Sequence, residues 1–364
     1  MAKPARAKSK AKTKVKAAAP AAAPAAAAAP APAPPVIGAT KFQQTPEFLS
    51  YLNELNIHQD QLNKRQQLIR DIEKKLSDRY GVENRLISYV FRFGHPRAAI
   101  SSADIALFES LLNPISSTAQ INVLLHSPGG DGTIIEKMVE MCRAHLAGDH
   151  RKLRVIVPNI AKSAATLFAL GADEILMGYC SELGPIDPQV TISVSGMVQF
   201  VSALAFVESR DKIMKDLAKA IKKKESTTGL LQQLAGLNIP FTNEMENWIG
   251  FAQKTGANLL DKYMLKPRIR NATQRRRKAN QIAKKLLSKQ LFPIHGQFID
   301  GATAKRELEL EIDILDRTNE LWKKIWEYYI RCEIQMNLQI NPPMIKIKLF
   351  ESEKLSLVMQ DTAN

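Results

Sequence analysis

The sequence predicts an α/β protein built on a mainly parallel sheet with helices on both faces. Two observations carry that expectation. Short apolar runs at 121–126, 152–157 and 173–178 alternate with helical spacing near 132–147 and 163–171, as buried strands joined by crossover helices do. Two of those runs end in small-residue turns that open a helix: Ser127-Pro-Gly-Gly130 after the first, Asn159-Ile-Ala-Lys-Ser163-Ala-Ala-Thr166 after the second.

The remaining elements follow in chain order. Residues 1–40 are an Ala/Pro/Lys arm with too little large apolar surface to fold. Thr45 caps a helix with Pro46 at its first position, and the spacing of Leu62, Ile69, Ile72 and Leu76 carries it to Tyr80, where Gly81 stops it. This segment packs on a neighbour or on the core rather than doing chemistry. A β-rich run at 85–93 opens the main domain, and Ser101 or Ser102 caps the helix containing Ile105, Leu107, Phe108 and Leu111. After the alternating core comes a long amphipathic helix from about 196 to 224, then near-continuous helix beyond Trp248. A turn at His295-Gly296, a short helix at 302–308 and a helix near 318–335 follow; the last places Leu321, Ile325, Tyr328 and Tyr329 on one face, with Trp322 and Trp326 adjoining. The final strand-like run, 344–350, alternates Ile and Lys. The chain therefore divides into a tail (1–40), a helical arm (41–82), a core domain (83–228), a helical extension (229–340) and a C-terminal tail (341–364).

Charge is unevenly placed. Of the net +15, residues 1–41 carry +8 and residues 262–289 carry +11, neither with an acid, so the rest of the chain is mildly acidic. Both segments suit sequence-independent contacts to nucleic acid or another polyanion, or serve as a solubilising arm and a solvated helix face. Three scattered cysteines (Cys142, Cys180, Cys332) argue against a disulfide framework or a zinc cluster and for a reducing compartment. No apolar run is long enough to span a bilayer, and prolines interrupt the Ala-rich start that a secretory signal would need unbroken, so a cytoplasmic site is expected. No metal-ligand spacing or phosphate-cradling loop is present, and no cofactor is expected.

The two turns point to acyl transfer. A serine delivered by a buried strand to the first turn of a helix presents its hydroxyl beside unpaired N–H groups. Paired glycines after the neighbouring strand let backbone donors approach a carbonyl that side chains would block. Ser163 is the candidate nucleophile, or else a simple helix cap; the N–H groups of Gly129, Gly130 and Ala164 are the candidate oxyanion donors.

The ordered series Ser127-Pro-Gly-Gly130, Ala161-Lys-Ser-Ala-Ala165, Gly171-Ala-Asp-Glu174 and Glu182-Leu-Gly-Pro-Ile-Asp-Pro188 resembles the serine dehydrogenase proteinase family. The likeness resumes at Phe292-Pro-Ile-His-Gly-Gln297 and Glu320-Leu-Trp-Lys-Lys-Ile-Trp326. That family belongs to the Clp protease/crotonase superfamily and is similar to signal peptide peptidases. The resemblance implies a Clp/crotonase-like core of repeated strand-strand-helix units, a serine peptidase acting on peptide or protein substrates, a homo-oligomer, and a nucleophile at Ser163. Clp proteases place a His about where this chain has Asp187, so Asp187 is expected to fix a turn instead. The Lys base of signal peptide peptidases corresponds to Lys212, with Lys215 second. A Lys base must be neutral, which needs desolvation or a nearby cation. His126 either points to the site or fills the strand end, and His295 either serves the site or braces the C-terminal segment. The alternatives are a crotonase-like acyl-thioester enzyme, or an inactive oligomeric scaffold with a polyanion-binding tail.

Overall fold

A computed structural model describes residues 58–147, 151–194, 197–337 and 344–362. The arm at 1–40 and the helix start at Thr45 and Pro46 lie outside the described residues.

Helix α1 (His58–Tyr80) ends where Gly81, at φ +69°, donates its N–H to Ser77 O. It leads into β1 (Asn84–Phe91), α2 (Asp104–Leu112), β2 (Gln120–His126), a 3₁₀ turn (Gly132–Ile134) and α3 (Ile135–Ala144). Next come β3 (Leu153–Val157), the two-residue β4 (Ile160–Ala161), α4 (Ala164–Leu170), β5 (Glu174–Gly178) and β6 (Glu182–Leu183). A hairpin of β7 (Gln189–Val194) and β8 (Met197–Ser202) precedes α5 (Ala203–Lys223), α6 (Thr228–Ala235), α7 (Ile239–Lys262) and α8 (Ala272–Leu286). The chain closes with β9 (Ile299–Asp300), α9 (Gly301–Arg306), β10 (Ile312–Leu315), α10 (Glu320–Asn337), β11 (Met344–Ser352) and β12 (Ser356–Thr362).

Seven strands form one sheet in the order β10-β5-β3-β2-β1-β11-β12, parallel from β10 to β1 and antiparallel from there to β12. Every residue of β2 and β3 is buried, because the sheet is covered on both faces. One face contributes Ile87, Tyr89, Val123, Leu125, Val155 and Val157 to a core shared with α2, α3, α4, α7 and α8. Alternation turns the other residues of the strands to α1 and α10, where Ser88 meets Tyr328 at 2.5 Å. Arg65 of α1 forms a buried ion pair with Glu351 of β11 at 2.8 Å, which pins the arm to the sheet.

The strand–helix alternation matches the sequence expectation; several elements differ. Residues 189–194 and 197–202 pair as antiparallel strands where helix was expected to begin near 196, since β-branched residues alternate there with period two. Residues 312–315 and 344–362 are not extension and tail but the two edges of the main sheet, through β10 beside β5 and β11 beside β1. Neither Ser101 nor Ser102 caps α2. Ala103 occupies that position, and the buried Asp104 carboxylate takes the Ser101 N–H at 2.8 Å, the Lys348 ammonium at 2.7 Å and the Tyr89 hydroxyl.

Candidate active site

The two predicted turns lie at the carboxyl ends of β2 and β3 and touch each other. Ser127, leaving β2, donates its N–H to Ile160 O (3.0 Å) and accepts the Lys162 N–H on its carbonyl (3.1 Å), so the turn is stitched to β4. Gly129 and Gly130 follow at φ +108° and +146°. A Cβ on Gly129 would sit 2.8 Å from Ser163 Cβ and 2.8 Å from Lys162 O, and one on Gly130 would sit 2.4 Å from Ile100 N. Only glycine fits either position. On its far side the diglycine pairs with Ile100, which donates to Gly129 O at 2.8 Å and accepts from Asp131 N at 2.9 Å.

Ser163 stands at φ +51°, ψ −117°, a conformation that non-glycine residues rarely adopt and that a strand-to-helix nucleophile turn imposes. It occupies the N-cap of α4, yet its hydroxyl makes no capping bond, which removes the helix-cap explanation for this serine. Ser163 is half-buried, while all seven side chains of α4 behind it are buried. The unusual backbone angles are thus held at a partly open hydroxyl, on a helix anchored in the core.

The expected oxyanion donors divide. The Gly129 N–H is occupied by Ser127 Oγ at 3.1 Å. Among the described residues no such bond engages the N–H of Gly130 or of Ala164, the first residue of α4. Of the three expected donors, these two are therefore the ones left open, with Gly129 as the close-packed spacer.

Asp187 does more than fix a turn. Its Oδ1 lies 2.7 Å from His295 Nδ1, while Gln189 Nε2 donates to Oδ2 at 2.7 Å. Burial of Asp187 opposes its ionisation, but the hydrogen bond and charge of His295 outweigh that and hold the carboxyl below the usual carboxylate range. Asp187 is 5 % exposed and the His295 side chain 26 %, so a buried carboxylate orients a partly exposed imidazole. Lys162, beside Ser163, ties the segment that follows His295 to the Ser163 turn, since its ammonium bonds Gln297 O, two residues past His295, at 3.0 Å.

The other sequence candidates have different surroundings. Lys212 and Lys215 are exposed on α5, and neither is hydrogen-bonded to Ser163. Neither has the desolvated setting that a neutral Lys needs. His126 is 1 % exposed and packs its ring on Tyr329 at 4.8 Å; burial pushes it down to about 3, so it is a neutral core residue. In the basic segment Lys262, Arg268, Arg275, Arg276, Lys278 and Lys289 are paired with acids. The pairing of Asp187 with His295, 108 residues apart, is what the sequence did not reveal. Its only signal was the Phe292-Pro-Ile-His-Gly turn.

Residues 48–236 match the family described as ClpP-like SDH-type serine proteinase. The chain belongs to that family. Its fold is accordingly the Clp/crotonase-like α/β core, here with helical additions. The matched span holds Ser163, the diglycine and Asp187, whereas His295 lies beyond it. Two uncharacterized proteins of Methanocaldococcus jannaschii are similar to it. One is 29% identical over 154 residues, 39% of this chain and 48% of that protein. The other is 41% identical over 70 residues, 19% of this chain and 23% of that protein. The chain thus spans about half the length, or less, of these relatives. Among solved structures, a mutant of the 1510-N membrane-bound stomatin-specific protease aligns with 62% of this chain and 79% of its own, at 16% identity and a TM-score of 0.35. Among the described residues no helix is long and apolar enough to cross a membrane.

Proposed function

We propose that this protein is a serine peptidase in which Ser163 is the nucleophile, His295 the general base, Asp187 its orienting carboxylate, and the N–H groups of Gly130 and Ala164 the oxyanion donors. The observation that carries this is the positive-φ Ser163, free of capping duty and packed against Gly129. Family membership supports the reaction class. The base moves from Lys212 to His295 because His295 already has its orienting partner at 2.7 Å.

The Ser163 hydroxyl proton passes to His295 Nε2 as Oγ bonds to the scissile carbonyl carbon, and the carbonyl π pair moves onto oxygen. Gly130 and Ala164 N–H groups stabilise that oxyanion, each worth about 10²–10³ in rate. Collapse breaks the C–N bond, and the leaving amine takes the proton from His295. Water, deprotonated by the same imidazole, then releases the acid and restores Ser163. Asp187 stays ionised throughout and stabilises the imidazolium.

A fluorophosphonate probe tests this, since Ser163 Oγ would bond to phosphorus with loss of fluoride. Labelling of the parent protein, absent from Ser163→Ala, is expected; equal labelling of the variant removes Ser163 from the role. An acyl-thioester activity would not need Ser163 and finds no observation in its favour. Homo-oligomerisation and a reducing, cytoplasmic setting accompany the proposal, the latter supported by free Cys142, Cys180 and Cys332. A polyanion partner would rely on residues 1–41 with Arg270, Arg277 and Lys284, and its binding would weaken steeply with salt.

A further inference from the structure

Lys162, the residue before the proposed nucleophile, is bound on all sides. Its ammonium contacts Glu182 Oε2 at 3.0 Å, Leu183 O at 3.2 Å and Gln297 O at 3.0 Å. An ammonium has three donors, and here each has its own acceptor. The acceptors come from two segments far apart in sequence: β6, four residues before Asp187, and the turn two residues past His295. The stem is held as well, for a Cβ on Gly184 would fall 2.6 Å from Lys162 Cδ. The backbone of the same residue serves the nucleophile turn, since Lys162 N donates to Ser127 O at 3.1 Å and Lys162 O accepts from Ala165 N at 2.8 Å. With the side chain 12 % exposed, burial pulls the ammonium below its ordinary range despite Glu182.

We propose that Lys162 is a positioning residue that locks the Asp187 segment and the His295 turn onto the Ser163 turn, setting the reach of the imidazole to the hydroxyl. It does not act as the base, since its donors are spent on fixed acceptors. Its side chain bonds both β6 and the 295–297 turn, and its backbone joins the Ser127 turn. The proposal rests on the peptidase reading for its catalytic consequence, but the brace itself can be judged separately.

The test is Lys162→Met and Lys162→Cys in the full chain, with fluorophosphonate labelling resolved into a maximal rate and a half-saturating concentration. Displacing a catalytic group by about 1 Å costs about 10²-fold. The maximal rate should therefore fall ten- to a hundredfold while half-saturation stays within twofold. S-aminoethylation of Lys162→Cys with 2-bromoethylamine rebuilds an ammonium at the same reach and should recover at least tenfold; the parent, treated alike, controls for Cys180. Unchanged maximal rates, or failure of that recovery in a folded variant, overturn the proposal. Hydrogen exchange in 294–298 gives a readout independent of chemistry: faster exchange in Lys162→Met is expected, and unchanged exchange overturns the brace. Labelling that survives Ser163→Ala would instead sink the peptidase reading, leaving the exchange result to judge Lys162 alone.

Discussion

Gly129→Ala is the perturbation whose consequences can be worked furthest. The residue sits at φ +108°, so an alanine there carries a backbone cost of about 1–3 kcal/mol. Its methyl would also lie 2.8 Å from both Ser163 Cβ and Lys162 O, closer than carbon contacts allow, and 3.2 Å from Ala164 N. Two of those three atoms are backbone, and the Ser163 turn is bonded to Ser127 and to α4, so relief must come from parting the turns. A separation approaching 1 Å would carry Gly130 N–H off the position where the oxyanion forms, at a cost of about 10²-fold in rate. Differential scanning calorimetry should show a lower melting temperature, by about 2 °C for each kcal/mol in a chain this large. Labelling by a fluorophosphonate, normalised to folded protein, should fall about 10²-fold. A variant that labels at the parental rate would refute the claim that the diglycine and Ser163 share one pocket.

Other substitutions test neighbouring parts of the site and the fold. Asp187→Asn keeps the volume but loses the charge that orients His295, and the labelling rate should fall by about 10³-fold or more with little change in melting temperature. Lys212→Ala and Lys215→Ala, on the exposed face of α5, should each label within twofold of the parent; a large loss in either would restore a Lys base. Burial pushes the Glu333 carboxyl up to about 7 from 4.5, so the folded chain keeps a proton that the unfolded chain has lost. Stability from this group is therefore full below about pH 4.5 and is lost as pH rises through about 7. Between those two values it falls by about 1.4 kcal/mol for each step of one in pH. Glu333→Gln removes the effect: in denaturant titrations it should gain on the parent by about 3 kcal/mol between pH 4.5 and pH 8. A constant difference across that range would contradict it.

What could be read in the sequence was local. Gly129, Gly130 and Ser163 stand out because strand-to-helix turns with special backbone angles demand particular residues, and those demands act over a few positions. The helix of 58–80 likewise declares itself through Ile69, Ile72 and Leu76, all buried, and through Gly81 at its end; Leu62, the fourth residue of that spacing, is only half-buried. What escaped was decided by distant pairing. Ile312–Leu315 is only four residues long, and its place at one sheet edge depends on β5, more than a hundred residues earlier. The paired strands 189–194 and 197–202 leave Met197 62 % and Phe200 76 % exposed, and in sequence those apolar residues, three apart, imitated an amphipathic helix. The divided roles of the glycines depended on one hydroxyl, Ser127 Oγ, capturing the Gly129 N–H. His295 and Asp187 meet only because β6 and β9 pair, bringing the 295–297 turn over the Gly-Pro-Ile-Asp loop.

A crystal structure of the phosphonylated protein tests the central claim most directly. Phosphorus is expected on Ser163 Oγ, its phosphoryl oxygen about 3 Å from both Gly130 N and Ala164 N, and His295 Nε2 beside the serine oxygen. An adduct on another residue, or a phosphoryl oxygen turned away from the diglycine, would contradict it.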